Sequence, residues 1–159
     1  MKLQAVNPGN RLNVTRFLDD YWGYTLVVLR NGEEYDLKNE EGLVAVDESG
    51  AIAGCLMYNI QGEACEILSL CAVRERQGVG GALVREAEAV ARMKGCKKLR
   101  VITTNDNLNA MGFYQKRGFR LCRLFINAMD AVRAVKPQVP LIGENGIPLR
   151  DELEFEKNI

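Results

Sequence analysis

The chain has 159 residues, 47% apolar and 26% charged, which suits one domain spanning residues 1–159 with a substantial core. Lys+Arg and Asp+Glu are each 21, so there is no basic excess of the kind nucleic-acid binding needs. Histidine is absent, which removes most zinc sites and every Ser-His-Asp triad and leaves acid–base work to Glu, Asp, Tyr, Lys or water.

Residues 3–6 form a short apolar start, closed by Asn7-Pro8-Gly9. Asn10 is placed to cap a helix with the apolar face Val14, Phe17, Leu18 and Tyr21, ended by Gly23. Tyr24–Arg30 and Glu33–Leu37 flank Asn31-Gly32, a hairpin signal. Leu43–Val46, Ala51–Ile60 and Ala64–Val73 read as strands joined by short turns, hence an antiparallel meander. A helix follows over Gly78–Lys94, with Val79, Leu83, Ala87, Val90 and Ala91 on one face and a Glu88–Arg92 pair outside. Leu99–Thr103 must then run parallel to Ala64–Val73, because a helix joins them. A second helix spans 107–117, Phe119–Phe125 is a strand, 127–136 a short helix halted by Pro137, and 147–156 a last strand. The predicted fold is α/β, more fully an α+β mixed sheet: an antiparallel meander, one central parallel pair and flanking helices.

No leader-like or long apolar segment occurs, so the expected location is cytoplasmic, with no membrane partner. The five cysteines contain no C-x-x-C and mostly sit in apolar runs, which predicts buried free thiols and no metal.

The richest stretch is Cys65–Lys94. A strand breaks at a charged turn, passes through Gln77-Gly78-Val79-Gly80-Gly81 and opens into a helix. Glycines permit close backbone approach, and a helix start offers unpaired N–H groups and a positive dipole end, the requirements of a pyrophosphate cradle. The plainer alternative is a tight turn and helix entry. A P-loop is excluded because no Gly-Lys-Ser/Thr follows, and the dinucleotide fingerprint fails because position 83 is Leu.

Residues 101–119, VITTNDNLNAMGFYQKRGF, supply a second element: Asn107, Ala110, Tyr114, Gly118 and Phe119. With the glycine loop upstream, the chain resembles the GNAT superfamily of N-acetyltransferases over at least residues 43–125. One position departs from the family pattern: Glu75 stands where Gln or Arg is usual, flanked by Arg74 and Arg76. The resemblance implies a GNAT-like acyl-CoA N-acyltransferase fold with the parallel pair splayed, and acetyl-CoA as cosubstrate. Transfer would go directly to a primary amine of a small molecule or peptide. The competing reading is a non-catalytic acyl-CoA-binding or sensor domain. A homodimer is admitted.

The resemblance also distributes roles. Arg76, Gln77, Gly78, Val79, Gly80, Gly81 and Ala82 would hold the pyrophosphate. Leu70, Cys71, Ala72 and Val73 would present backbone groups to the pantetheine, with Asn107 and Ala110 beside it. Tyr114 would protonate the leaving thiolate, against the alternative that it packs the core; Asn107 is equally suited to cap its helix. Glu66, in phase with Leu68, Leu70 and Ala72, is a candidate base, against a water chain. In the last strand, period two puts Asp151 on the apolar face of Ile147, Leu149, Leu153 and Phe155, with Glu152 and Glu154 opposite. That makes Asp151 a candidate acceptor contact, unless a bulge or an arginine partner accounts for it.

Overall fold

Short polar turns in the first half and helical crossings in the second set the order of elements. The computed structural model describes residues 1–159. In chain order these are β1 (Lys2–Ala5), α1 (Arg11–Trp22), β2 (Leu26–Leu29), β3 (Glu33–Asp36), β4 (Glu41–Val46), β5 (Ile52–Gln61), β6 (Ala64–Ala72) and α2 (Val79–Met93). They continue with β7 (Lys98–Thr104), α3 (Leu108–Gln115), β8 (Arg120–Phe125), α4 (Met129–Val135) and β9 (Glu152–Asn158). The fold is mixed α/β, with a mostly antiparallel sheet, one parallel pair and four helices. The chain divides into two compact units, one of residues 1–27, 35–99 and 159, the other of residues 28–34 and 100–158.

In the first unit the strands lie in the order β1-β4-β5-β6, every neighbouring pair antiparallel. Leu56, Ile67 and Leu83 are almost fully enclosed, as apolar side chains in a sheet–helix core should be. Met57 pairs with Ser69 but Tyr58 pairs with Ile67, so Leu68 is an extra residue on β6. Such a bulge resets the side-chain alternation. Glu66, opposite Asn59, therefore shares a face with Ser69 and Cys71, which lie opposite Met57 and Cys55. The expected phase with Leu70 and Ala72 is corrected accordingly.

α2 packs on β4, β5 and β6 through Val79, Leu83, Val84, Ala87 and Ala91, and its Glu88–Arg92 pair forms at 2.8 Å, Arg92 exposed but Glu88 half-buried where the sequence placed the pair outside. Its first turn is seated by Gly54, where a Cβ would lie 2.6 Å from Val79 Cγ1 and 2.8 Å from the Cys71 carbonyl oxygen. α1 buries Val14 and Leu18 and ends at Gly23 in the left-handed region (φ 79°). The expected side-chain cap does not form. The Asn10 oxygen instead accepts the Asn7 N–H (2.8 Å), closing the loop that enters the helix.

In the second unit the strand order is β7-β9-β8, and β8 and β9 are antiparallel. The hairpin tip belongs here. Its turn is centred one residue earlier than Asn31-Gly32: Arg30 (φ 46°) and Asn31 (φ 64°) take the left-handed positions, and Gly32 N–H donates to Leu29 (3.1 Å). Glutamates on β9 select this register. The Arg30 N–H donates to Glu152 (2.8 Å), and its guanidinium donates to Glu154 from Nε (2.9 Å) and Nη2 (2.5 Å). Glu152 and Glu154, on the face opposite the apolar row by strand period, are only 3% and 1% exposed. Charges this deep need partners, and the hairpin supplies one.

Candidate functional site

The glycine loop is built as an open donor array. β6 ends at Ala72, and residues 73–78 are exposed. Arg76 (φ 62°) and Gly78 (φ 78°) both lie in the left-handed region. For Gly78 this conformation, and not space, is the requirement, since a Cβ there would meet nothing within 4 Å. For Arg76 it costs about 1–2 kcal/mol, a strain of the kind that clusters at ligand sites. The first bond into α2 runs from Ala82 N–H to the Gly78 carbonyl (3.0 Å). The N–H groups of Val79, Gly80 and Gly81 thus have no acceptor within the helix. No side chain caps this end and no acidic residue occupies its first turn, so an anion meets donors and a positive dipole without competition.

β6 leads into that loop. Val73 N–H is committed to the Ala53 carbonyl (2.9 Å), so at that position only the carbonyl remains to offer a ligand. The buried Cys71 thiol points inward, 3.8 Å from the Cys55 carbonyl, and desolvation pushes its pKa up to about 12. It is no nucleophile. Leu70 and Ala72 are half-buried. On the other face of the strand Glu66 is buried. The end of α1 reaches the same strand: Trp22 Nε1 donates to Ser69 Oγ (3.1 Å) and the Tyr21 hydroxyl to the Ala72 carbonyl (3.4 Å). These aromatics escaped the sequence reading, which saw only a helix face. The adjacent Tyr21-Trp22 pair at a helix end was the available signal.

In the second unit Asn107 caps α3, its side-chain oxygen accepting the Ala110 N–H (3.0 Å). The cap leaves the amide nitrogen as the donor Asn107 can offer. Tyr114 is 6% exposed, edge-on to Phe113 and Phe119 with ring centroids 5.1 and 5.3 Å away. Burial pushes its phenol pKa above the ordinary value, with Arg117 opposing, which makes the phenol a weaker proton donor than a solvated tyrosine.

Asp151 does not sit in a strand. β9 begins at Glu152, and Asp151 precedes it, half-buried, with Oδ1 accepting the Asn127 N–H (2.8 Å). The strand-phase argument for an inward carboxylate therefore fails, and neither a bulge nor an arginine explains the residue. It fixes the left-handed turn at Asn127 (φ 60°). Its own N–H, like that of Arg150, is held by Asn105 Oδ1 (3.0 Å each).

The chain belongs to the GNAT acetyltransferase family: the model described as "Acetyltransferase (GNAT) family" matches residues 12–119. It is 42% identical over 160 residues to the uncharacterized protein YdhI of Bacillus subtilis, with 99% of each chain covered. A second relative from the same organism, the uncharacterized protein YxbD, is 41% identical over 146 residues, covering 92% of this chain and 91% of the relative. Among solved structures, a GNAT family acetyltransferase from Elizabethkingia anophelis with acetyl-CoA bound superposes with TM-score 0.71 at 23% identity, covering 99% of this chain and 97% of that one. A Bacillus subtilis acetyltransferase in complex with CoA gives TM-score 0.67 at 19% identity, with 99% of both chains covered. At these identities the two structures speak for the fold.

No helix is long and apolar enough to cross a membrane.

Proposed function

We propose that the protein is an acetyl-CoA-dependent N-acetyltransferase that moves the acetyl group directly to a primary amine of a small molecule or peptide. The observation that carries this is the start of α2, where Val79, Gly80 and Gly81 present N–H groups with neither cap nor acidic residue. The pyrophosphate of the cosubstrate takes those donors, with Arg76, Gln77 and Ala82 around it. The pantetheine runs along Leu70–Val73, and the family resemblance gives Asn107 and Ala110 a part in holding it.

In the reaction the neutral amine attacks the thioester carbon, the C–N bond forms and the C–S bond breaks. The amine gives up a proton to a base, for which buried Glu66 is the candidate. Tyr114 gives its proton to the departing thiolate. A phenol is protonated at working pH, as its ordinary pKa of about 10 already ensures, and general acid catalysis of this kind contributes about 10²–10⁴-fold. The packing of Tyr114 between Phe113 and Phe119 is what favours the non-catalytic reading, a domain that binds acyl-CoA without transfer.

A panel of amines with acetyl-CoA, read by released thiol, separates the two readings. Turnover with some amine, reduced roughly 10- to 1000-fold in Tyr114→Phe with acetyl-CoA affinity kept, is the expected result. CoA stabilisation without turnover on any amine would leave the binding domain. Gly80→Val should abolish the heat stabilisation that CoA gives the wild type, and equal stabilisation in both proteins would move the ligand elsewhere.

A further inference from the structure

β8 is the last strand in the sheet order, and Arg120 through Leu124 are all exposed. Leu121 and Leu124 are 56% and 55% exposed, and Ile126, just past the strand, is 67% exposed. In a regular strand residues three apart point to opposite faces. Here they do not. Leu121 lies opposite Phe155 and Leu124 opposite Leu153, with Cys122 left over as a bulge. Phe155 and Leu153 are two apart on β9 and share a face, so the bulge gathers both exposed leucines onto one side of an open edge. An uncovered edge carrying large apolar side chains is a pairing site or an aggregation hazard.

We propose that this edge pairs antiparallel with β8 of a second copy of the chain about a two-fold axis between Cys122 and Arg123. The strand is self-complementary in that register. Leu121 of each copy faces Leu124 of the other, on the face the bulge has made apolar, and Arg120 faces Phe125. Moving the axis onto Arg123 sets like charges directly against each other, and moving it onto Cys122 sets Leu121 against Arg123; both are disfavoured. An isologous pairing also consumes the edge on both copies, so it closes as a dimer and does not propagate.

Sedimentation of the wild-type protein at micromolar concentration should give a dimer. Leu121→Arg and Leu124→Arg should each give monomers with unchanged far-UV circular dichroism. A wild-type monomer, or a dimer that survives both substitutions, overturns the proposal, the latter by placing the interface elsewhere. The register has its own test in a Cys122→Ser background, where the remaining cysteines are buried. Directly opposite antiparallel residues lie about 4.5–5.5 Å apart at Cα, within disulfide reach. Mixing Leu121→Cys with Leu124→Cys protein under mild oxidation should give cross-linked dimer well above either variant alone. Equal cross-linking in all three samples overturns the register.

Discussion

Gly143 lies so close to the Asp106 carboxylate that a Cβ on it would overlap Oδ2 and come within 2.7 Å of Cγ. Asp106 is 5% exposed, accepts the Glu144 N–H (2.8 Å) and the Thr104 hydroxyl (2.5 Å), and gives its own carbonyl to the Asn145 amide (3.2 Å). Beside it Asn105 holds Arg150 and Asp151 and donates to the Pro148 carbonyl (2.8 Å). The two residues ahead of the α3 cap therefore pin both ends of the segment from 143 to 151.

Gly143→Ala should cost about 1–3 kcal/mol by overpacking against that carboxylate. Asp106→Ala should also destabilise, since it strips buried N–H and hydroxyl groups of their acceptor. Because each change acts on the same contact, the double variant should lose clearly less than the sum of the two. Urea denaturation of the four proteins decides it, and simple additivity would show that the contact is not shared.

The seat of α2 can be tested at Gly54. A methyl group there meets Val79, the first residue of the helix, and the Cys71 carbonyl. Gly54→Ala should lower the melting temperature and, by shifting the helix start, shrink the stabilisation CoA provides. A lower melting temperature with the full CoA increment would mean that the loop tolerates movement of its helix.

Strand and helix positions were legible where one periodicity ruled: the meander, the apolar stripe of α2 and the glycine stops at 23 and 95 all lie where pattern and turn chemistry put them. The glycine loop and the Asn107–Phe119 motif were legible too, because backbone donors and a helix cap leave a residue-type signature. Three features were not. Each bulge inserts a residue that no composition rule marks, so the face of Glu66 and the shared face of Leu121 and Leu124 were hidden. The start of β9 was misplaced because Ile147–Asp151 alternates like a strand while its backbone is held by Asn105, a long-range partner. The enclosure of Glu152 and Glu154 is not legible in the sequence, because burial of a charge depends on a cation elsewhere in the chain, here Arg30.

A surface pair gives a pH signature. The Glu41 carboxylate accepts from Lys94 Nζ (2.6 Å) and the Tyr58 hydroxyl (3.0 Å), bonds that hold its pKa below the usual carboxylate range. The contribution is fully present above the unfolded value, about 4.3, and is lost as pH falls through the lower folded value. Lys94 and Glu41 side chains are 44% and 62% exposed, so the size is no more than about 1 kcal/mol. Glu41→Gln should be slightly less stable than wild type at neutral pH and converge with it on acidification. A gap that persists unchanged into acid would assign the loss to packing.

The pairing of Arg30 with Glu154 is of a different order. Their side chains are 15% and 1% exposed, and the guanidinium meets the carboxylate from both Nε and Nη2. Removing one partner leaves a buried charge uncompensated, so Arg30→Met should cost about 3–5 kcal/mol in urea denaturation. Arg123 approaches the same carboxylate at 3.5 Å, but its side chain is 63% exposed, and Arg123→Ala should cost less than about 1 kcal/mol. The contrast isolates desolvation from proximity, because both cations sit beside one acid. A second step separates charge from shape. With Arg30 already Met, Glu154→Leu removes the orphaned carboxylate and should restore part of the loss, since apolar replacement of a buried pair is often neutral or better. Further destabilisation by that second change, with none of the loss recovered, would mean that Glu154 is held by its other neighbours and that Arg30 contributes mainly to the hairpin turn.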